Sequence, residues 1–243
     1  MEFKNFLDTS CDDELTKING LTWLPWIGKN YSNNQRRLLI VGESHYCKAD
    51  NEEDFKKECK AKIGNKENTR IVVNNEAIIR EIKKDCRYFD NTYKALLNEN
   101  TFKALIKDIT FRERFWGQVC FYNFIQRPMD YRIKERPKRT DFYNAWKLFI
   151  DLITIINPTD CIVTGVQASN SFNHAMNDLN INFSKVKKVE KVGMVYPRTA
   201  LLNINENEIK LSFMQHPSAW FSWENWHIFL ENEHKEGLKA LRQ

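Results

Sequence analysis

Residues 38–46 read Leu-Leu-Ile-Val-Gly-Glu-Ser-His-Tyr, an apolar run that starts behind Arg36-Arg37 and breaks into polar residues after Gly42. Four consecutive apolar residues bounded by charge suit a short strand buried on both faces of a parallel sheet. The expected strand covers 38–42 and delivers Glu43, Ser44, His45 and Tyr46 at its carboxyl end. Residues 119–125 are rich in β-branched and aromatic side chains and form a second expected strand, stopping at Arg127-Pro128 because proline cannot donate to a ladder. Residues 161–164 form a third, followed by Gly165 and an expected helix over 167–177.

Between these strands, Phe142, Ala145, Trp146, Phe149, Leu152, Ile153 and Ile156 recur at spacings of three and four. Asp141 stands near the start and Asn157-Pro158 behind the end, which makes 141–156 the clearest helix in the chain. Residues 201–204 and 209–214 flank Asn205-Glu206-Asn207-Glu208 and read as a hairpin whose second strand runs into His216. A terminal helix is expected over 223–241, with Trp226, Phe229, Leu230, Leu238 and Leu241 on its apolar side. Alternating strands and helices predict an α/β three-layer sandwich with a central, mainly parallel four-stranded sheet flanked by helices, in a single domain over 1–243. About 80 residues separate Glu43 from Asn123. Within them 48–68 is charged and 71–105 carries apolar residues such as Ile78, Ile79 and Ile82 at helical intervals, so 47–115 is expected as a helical insertion.

With 42% hydrophobic and 13% aromatic residues in 243, the chain has ample material for a core, which argues against intrinsic disorder. A formal charge of +5 suits an anionic partner but falls short of a polybasic tail. The six cysteines include no Cys-x-x-Cys pair, so they are expected to be reduced and structural. No basic-then-apolar leader opens the sequence and no apolar run approaches membrane-spanning length, so a cytoplasmic protein without a membrane partner is expected.

The polar clusters at the three strand ends are Gly42-Glu43-Ser44-His45-Tyr46, Asn123 with Arg127-Pro128, and His216-Pro217-Ser218. In this order they resemble the uracil-DNA glycosylase superfamily, and most closely its bacterial and archaeal iron–sulfur branch. That branch carries a Gly-Glu opening, an Asn-x-x-x-x-Arg-Pro segment and a Thr-x-His-Pro-Ser-like ending, which Gly42-Glu43, Asn123-Phe-Ile-Gln-Arg127-Pro128 and Gln215-His216-Pro217-Ser218 match in part. Residues 157–168, Asn-Pro through Cys-Ile-Val-Thr-Gly-Val-Gln-Ala, also resemble it. The branch's cluster cysteines have no counterpart, Ser44 stands where several branches place Asp or Asn, and His45 replaces their usual proline.

The resemblance implies a monofunctional DNA glycosylase-like hydrolase that flips a uracil or related modified base and cleaves its N-glycosidic bond, with DNA as partner and neither metal nor organic cofactor. Glu43, Ser44, His45 and His216 would be catalytic; Gly42, Tyr46, Asn123 and Ser218 would bind substrate. Chemically, His216 could donate to the departing base's carbonyl oxygen, Glu43 could handle water and the sugar cation, and Asn123 could read a base edge. Each residue also admits a structural role, as a strand-end histidine, a loop glutamate or a turn-capping asparagine. Tyr46 or Phe55 could stack on the base. Arg127, Arg132, Lys138 and Arg139 could meet phosphates, and Trp220 and Phe221 fall where a wedge into the duplex would sit. His227, Glu231 and His234 share helical spacing that could hold a metal, although a solvated helix face is the more ordinary reading. The alternative function is a catalytically inactive base-, nucleotide- or DNA-binding module of the same fold.

Overall fold

The computed structural model describes residues 2–81, 86–105, 107–218 and 220–242. Eight strands form one sheet: β1 (Trp26–Ile27), β2 (Leu38–Cys47), β3 (Cys120–Asp130), β4 (Asp160–Thr164), β5 (Asn182–Phe183), β6 (Lys187–Lys188), β7 (Arg198–Ile204) and β8 (Asn207–Met214). Their order is β1-β3-β2-β4-β8-β7-β5, with β6 also on β7. The expected four-stranded sheet is therefore corrected to a mixed eight-stranded one. β3, β2, β4 and β8 run parallel, while β1 joins one side antiparallel and β7 with β5 and β6 extends the other. Three of the added strands have two residues each, too few to leave a periodic signal in sequence.

The helices are α1 (Asp12–Leu15), α2 (Glu52–Ile63), α3 (Asn68–Val73), α4 (Arg87–Leu97), α5 (Glu99–Leu105), α6 (Ile109–Gln118), α7 (Arg139–Ile156), α8 (Phe172–Asp178) and α9 (Trp223–Ala240). They cover both faces of the sheet. One face packs Leu39, Val41, Tyr122 and Phe124 against Phe142, Trp146 and Phe149 of α7 and Phe172 of α8. The other packs Leu38, Ile40 and Phe121 against Phe89 and Tyr93 of α4, Phe115 and Trp116 of α6, and Trp226 and Phe229 of α9. Apolar burial on both faces explains why 38–41 lacks alternation. Among the described residues no helix is long and apolar enough to cross a membrane.

Local chemistry sets the element ends. Asn157 closes α7 in the left-handed conformation at φ 46°, and Pro158 follows. β7 and β8 meet at Asn205-Glu206, both at positive φ, as a two-residue hairpin turn requires. β3 runs past the expected stop at Pro128. Its register against β2 jumps from Ser44↔Ile125 to Tyr46↔Met129, so the proline falls inside a bulge where no ladder hydrogen bond is demanded of it. The 47–115 region is helical, with its helices broken by connections and a π-turn at Asn74–Ile78. It is packed into the molecule, since Phe89, Tyr93, Phe115 and Trp116 join α9 and the sheet in one side of the core. Ile82 lies outside the described residues. The charged stretch 48–68 contains α2, capped by the Asn51 side chain accepting from Asp54 N–H and without a buried residue.

Candidate active site

β2 is paired with β4 only as far as Val41↔Val163, and beyond that point it continues alone beside β3. Gly42 to Tyr46 thus lie within a strand, not after one, yet they project past the carboxyl ends of β4 and β8. That edge is where connecting loops of an open sheet converge on a ligand. A cavity of about 680 Å³ opens there, lined among others by Glu43, Tyr88, Asn123, Arg136, His216 and Ser218.

Asn123 sits directly opposite Gly42 on the neighbouring strand. The residue is only 5% exposed, and its side-chain amide has no hydrogen-bond partner among the described residues. An amide at a cavity wall with no partner in the protein leaves its acceptor and two donors open to the cavity. Gly42 makes this placement possible. A Cβ there would overlap Asn123 Oδ1 and stand 2.9 Å from Phe121 Cζ and 3.2 Å from the Tyr88 hydroxyl. Gly42→Ala is therefore expected to displace the Asn123 amide and to cost about 1–3 kcal/mol of stability, measurable by urea unfolding.

His216 leaves the end of β8 in a loop held from the helical layer, where Asn91 Nδ2 donates to Pro217 O at 2.7 Å. The Ser218 backbone N–H donates to His216 Nδ1 at 3.3 Å, which fixes Nδ1 as acceptor and leaves the ring proton on Nε2. Burial, aided by the positive charge of Arg136, lowers His216 to about 4. At neutral pH it is an uncharged donor. Tyr88 packs against it with ring centroids 5.2 Å apart. Thr164 Oγ1 donates to Val41 O at 2.8 Å, so the Tyr88 hydroxyl, 3.1 Å away, must donate to Thr164.

The Glu43 carboxylate lies beside Gly165, where a Cβ would stand 3.6 Å from Oε2, in ordinary contact. Burial raises its pKa, opposed by the charge of Arg136 and the hydroxyl of Tyr46. Arg136 Nη1 is 3.8 Å from Glu43 Oε1, and the Tyr46 hydroxyl, which donates to Glu135 O at 3.1 Å, is 3.5 Å from the same oxygen. Ser44 Oγ is buried without a hydrogen-bond partner. His45 also lines the cavity, but its ring is committed to other partners. Its ring is buried edge-on against Trp23 with centroids 4.7 Å apart, and its Nε2 lies 2.8 Å from Thr69 Oγ1. Burial, with Lys62 nearby, takes it down to about 3, so it stays neutral as a packing and hydrogen-bonding residue.

The basic residues divide in two. Arg127 is committed to Glu135 at 2.8 Å and Asp141 at 2.9 Å, and Arg132 to Asp130 at 2.6 Å and Glu52 at 2.8 Å; these four pairs brace the loop between β3 and α7. Arg132 also covers the Phe55 ring at 4.5 Å, so Phe55 packs under a guanidinium rather than in the cavity. Lys138 and Arg139 are exposed at the start of α7, and Lys134 and Arg136 line the cavity. Trp220 is 98% exposed at φ 48°, two residues beyond Ser218. Phe221 instead stacks on Trp226 with centroids 5.9 Å apart.

The spacing of His227, Glu231 and His234 resolves into three unrelated contacts. His227 Nδ1 meets Ala95 O at 2.9 Å, Glu231 pairs with Arg242, and His234 is buried between Asp160 and Ser212. Among the described residues no group of three or more His, Cys, Asp or Glu could hold a metal ion. Residues that sequence reasoning passed over are Tyr88, Asn91 and Thr164. They come from an insertion without motif and from an apolar strand, and only Tyr88, opening an amphipathic helix, carried even a weak signal. No family model matches the chain, and no curated protein matches it.

Proposed function

We propose that the chain is a DNA glycosylase-like hydrolase, a divergent relative of the uracil-DNA glycosylases, that takes an extruded uracil or related modified base and hydrolyses its N-glycosidic bond. The observation that carries this reading is the buried, unpartnered Asn123 amide sharing one cavity with a neutral His216 and with Glu43. An amide offers an acceptor and two donors to the Watson–Crick edge of a flipped base. His216 Nε2–H donates to the base's carbonyl oxygen as negative charge collects there, which is the preorganised stabilisation that lowers such barriers most. The Glu43 carboxylate supports the developing sugar cation and accepts a proton from the attacking water, so that hydroxide adds to the sugar carbon and the base departs with its bonding pair. Trp220, fully exposed beside this loop, fits a side chain that enters the duplex as the base leaves it.

Glu43 must be ionised for this chemistry. Since burial raises its pKa, the acid limb of the kcat/KM profile is expected above the ordinary carboxylate value of 4.5. Arg136 pulls that pKa down, so Arg136→Ala is expected to move the limb to higher pH. A pH–rate series on both proteins reads the difference.

A second reading, a module that binds a base without cutting it, is favoured by the placement of His45. With its ring held at Trp23 and Thr69, water handling falls on Glu43 alone. Oligonucleotides carrying uracil, hypoxanthine and other modified bases, single- and double-stranded, decide between the two when abasic sites are revealed by alkaline cleavage. Product supports the hydrolase, binding without product supports the module, and neither outcome overturns both.

A further inference from the structure

β7 runs antiparallel to β8, with Arg198 opposite Phe213, and β6 runs antiparallel to β7, with Lys188 opposite Arg198. The chain between Lys188 and Arg198 therefore projects from the same carboxyl edge of the sheet that releases the His216 loop. Val189 N–H bonds to Pro197 O at 2.9 Å, and Val192 and Val195 exchange both backbone hydrogen bonds. Gly193 at φ 58° turns the tip, making a closed two-stranded hairpin. Val189, Val192 and Val195 pack on the core cluster that contains Met214 and Trp226, so the hairpin is anchored by one face.

The opposite face is unlike an ordinary solvated turn. Met194 at the tip is 86% exposed and Tyr196 50% exposed. The ammonium groups of Lys188 and Lys191 lie 5.7 and 5.8 Å from the centroid of the same Tyr196 ring. Residues 184–198 hold Lys185, Lys187, Lys188, Lys191 and Arg198 against one acid, Glu190. One aromatic ring flanked by cations is the elementary unit of single-strand recognition, in which a base stacks on the ring and the adjoining phosphates meet the ammonium groups. An acidic peptide would use the charges and leave the ring without a partner. A lipid surface calls for a broader apolar face, and here the valines are already committed to the core.

We infer that the 188–198 hairpin, with Lys188, Lys191 and Tyr196 forming its contact face, is a binding arm for a nucleic-acid strand, gripping the backbone and one base beside the cavity on the flank opposite the Lys134–Arg139 loop. This inference rests on the proposal that the chain works on DNA. Fluorescence anisotropy with a plain single-stranded oligonucleotide of about 20 nucleotides, free of any modified base, tests it over a salt series. Tyr196→Ala is expected to weaken binding about fivefold to tenfold. Lys188→Ala with Lys191→Ala is expected to reduce the slope of log affinity against log salt by about 1.4. Lys235→Ala with Lys239→Ala removes the same two charges from α9 near Gly237, which adjoins Asp160 at the far edge of the sheet, and is expected to leave the slope as in the wild type.

Wild-type affinity and slope in the hairpin variants would overturn the arm, as would a wild-type protein that binds anionic vesicles but not the oligonucleotide. The two proposals fail separately. Weakened binding in the variants with no base released from any substrate leaves the arm standing and removes the hydrolase; base release with unaffected variants does the reverse.

Discussion

Asn123→Ala and His216→Ala are each expected to lower single-turnover base release by about 10²–10³-fold while leaving the protein folded, because both side chains are committed to the cavity rather than to the core. Asn123 has no hydrogen-bond partner to lose, and His216 gives up the hydrogen bond from the Ser218 N–H and the ring contact with Tyr88. Neither truncation strands a buried charge, so thermal melting should move little. Their kinetic signatures should differ. A group that reads the base in ground and transition states alike weakens binding, whereas a donor that matters when charge reaches the carbonyl oxygen depresses the chemical step. Asn123→Ala should therefore raise the concentration needed for half-maximal rate as well as slow release. His216→Ala should act mainly on the rate at saturating substrate. Product that survives the double substitution unchanged would remove both residues from the site.

Asp160→Ala is expected to cost about 3–5 kcal/mol of folding stability, a large part of the roughly 5–15 kcal/mol that a domain holds in total. Asp160 is fully buried at the start of β4. Its carboxylate accepts from Arg36 Nη2 at 2.6 Å, from Thr159 Oγ1 at 2.7 Å and from His234 Nδ1 at 2.8 Å. His234 Nε2 in turn meets Ser212 Oγ at 2.8 Å, so one network ties α9 to β4 and β8. α9 bends at His234, with φ −131° and ψ 28°, to bring the ring there. The aspartate, histidine and serine superficially match a hydrolytic triad, but Ser212 has no exposed surface and lies away from the cavity wall. The arrangement is a clamp.

Its pH dependence provides a second check. Burial by itself would raise the Asp160 carboxyl, but hydrogen bonding and charge from His234, with Thr159 and Arg36, hold it below 3.8. A carboxyl depressed in the folded state stabilises above its unfolded value, and that contribution disappears as pH falls through the folded one. The stability gap between wild type and Asp160→Asn in urea unfolding should therefore narrow toward strongly acidic pH.

Much of the scaffold was legible locally. The apolar runs at 38–42, 119–125 and 161–164, the helix at 141–156 and the hairpin before His216 all declare themselves by pattern or turn chemistry, because burial on one or two faces imposes a period on neighbouring residues. The polar groups of the candidate site were legible too, as residues: Glu43, Asn123 and His216 stand out by type and by their place in or just beyond apolar strands. Their states were not. That Asn123 lies unpaired over Gly42 and that His45 turns to Trp23 and Thr69 follow from contacts between segments distant in sequence, and that His216 carries its proton on Nε2 follows from how its own loop folds the Ser218 N–H back onto the ring.

What the sequence by itself determined, then, is the parallel centre of the sheet and the identity of the polar groups presented at its carboxyl edge. Tertiary structure alone decided the two-residue edge strands, the continuation of β3 through Pro128, the withdrawal of Arg127 and Arg132 into ion pairs, the burial of His234 and the arrival of Tyr88 beside His216. The physical reason is common to all five. Period and turn chemistry depend on a residue's immediate neighbours, whereas hydrogen-bond partners, salt bridges and edge pairing depend on which distant segments the closing core brings together.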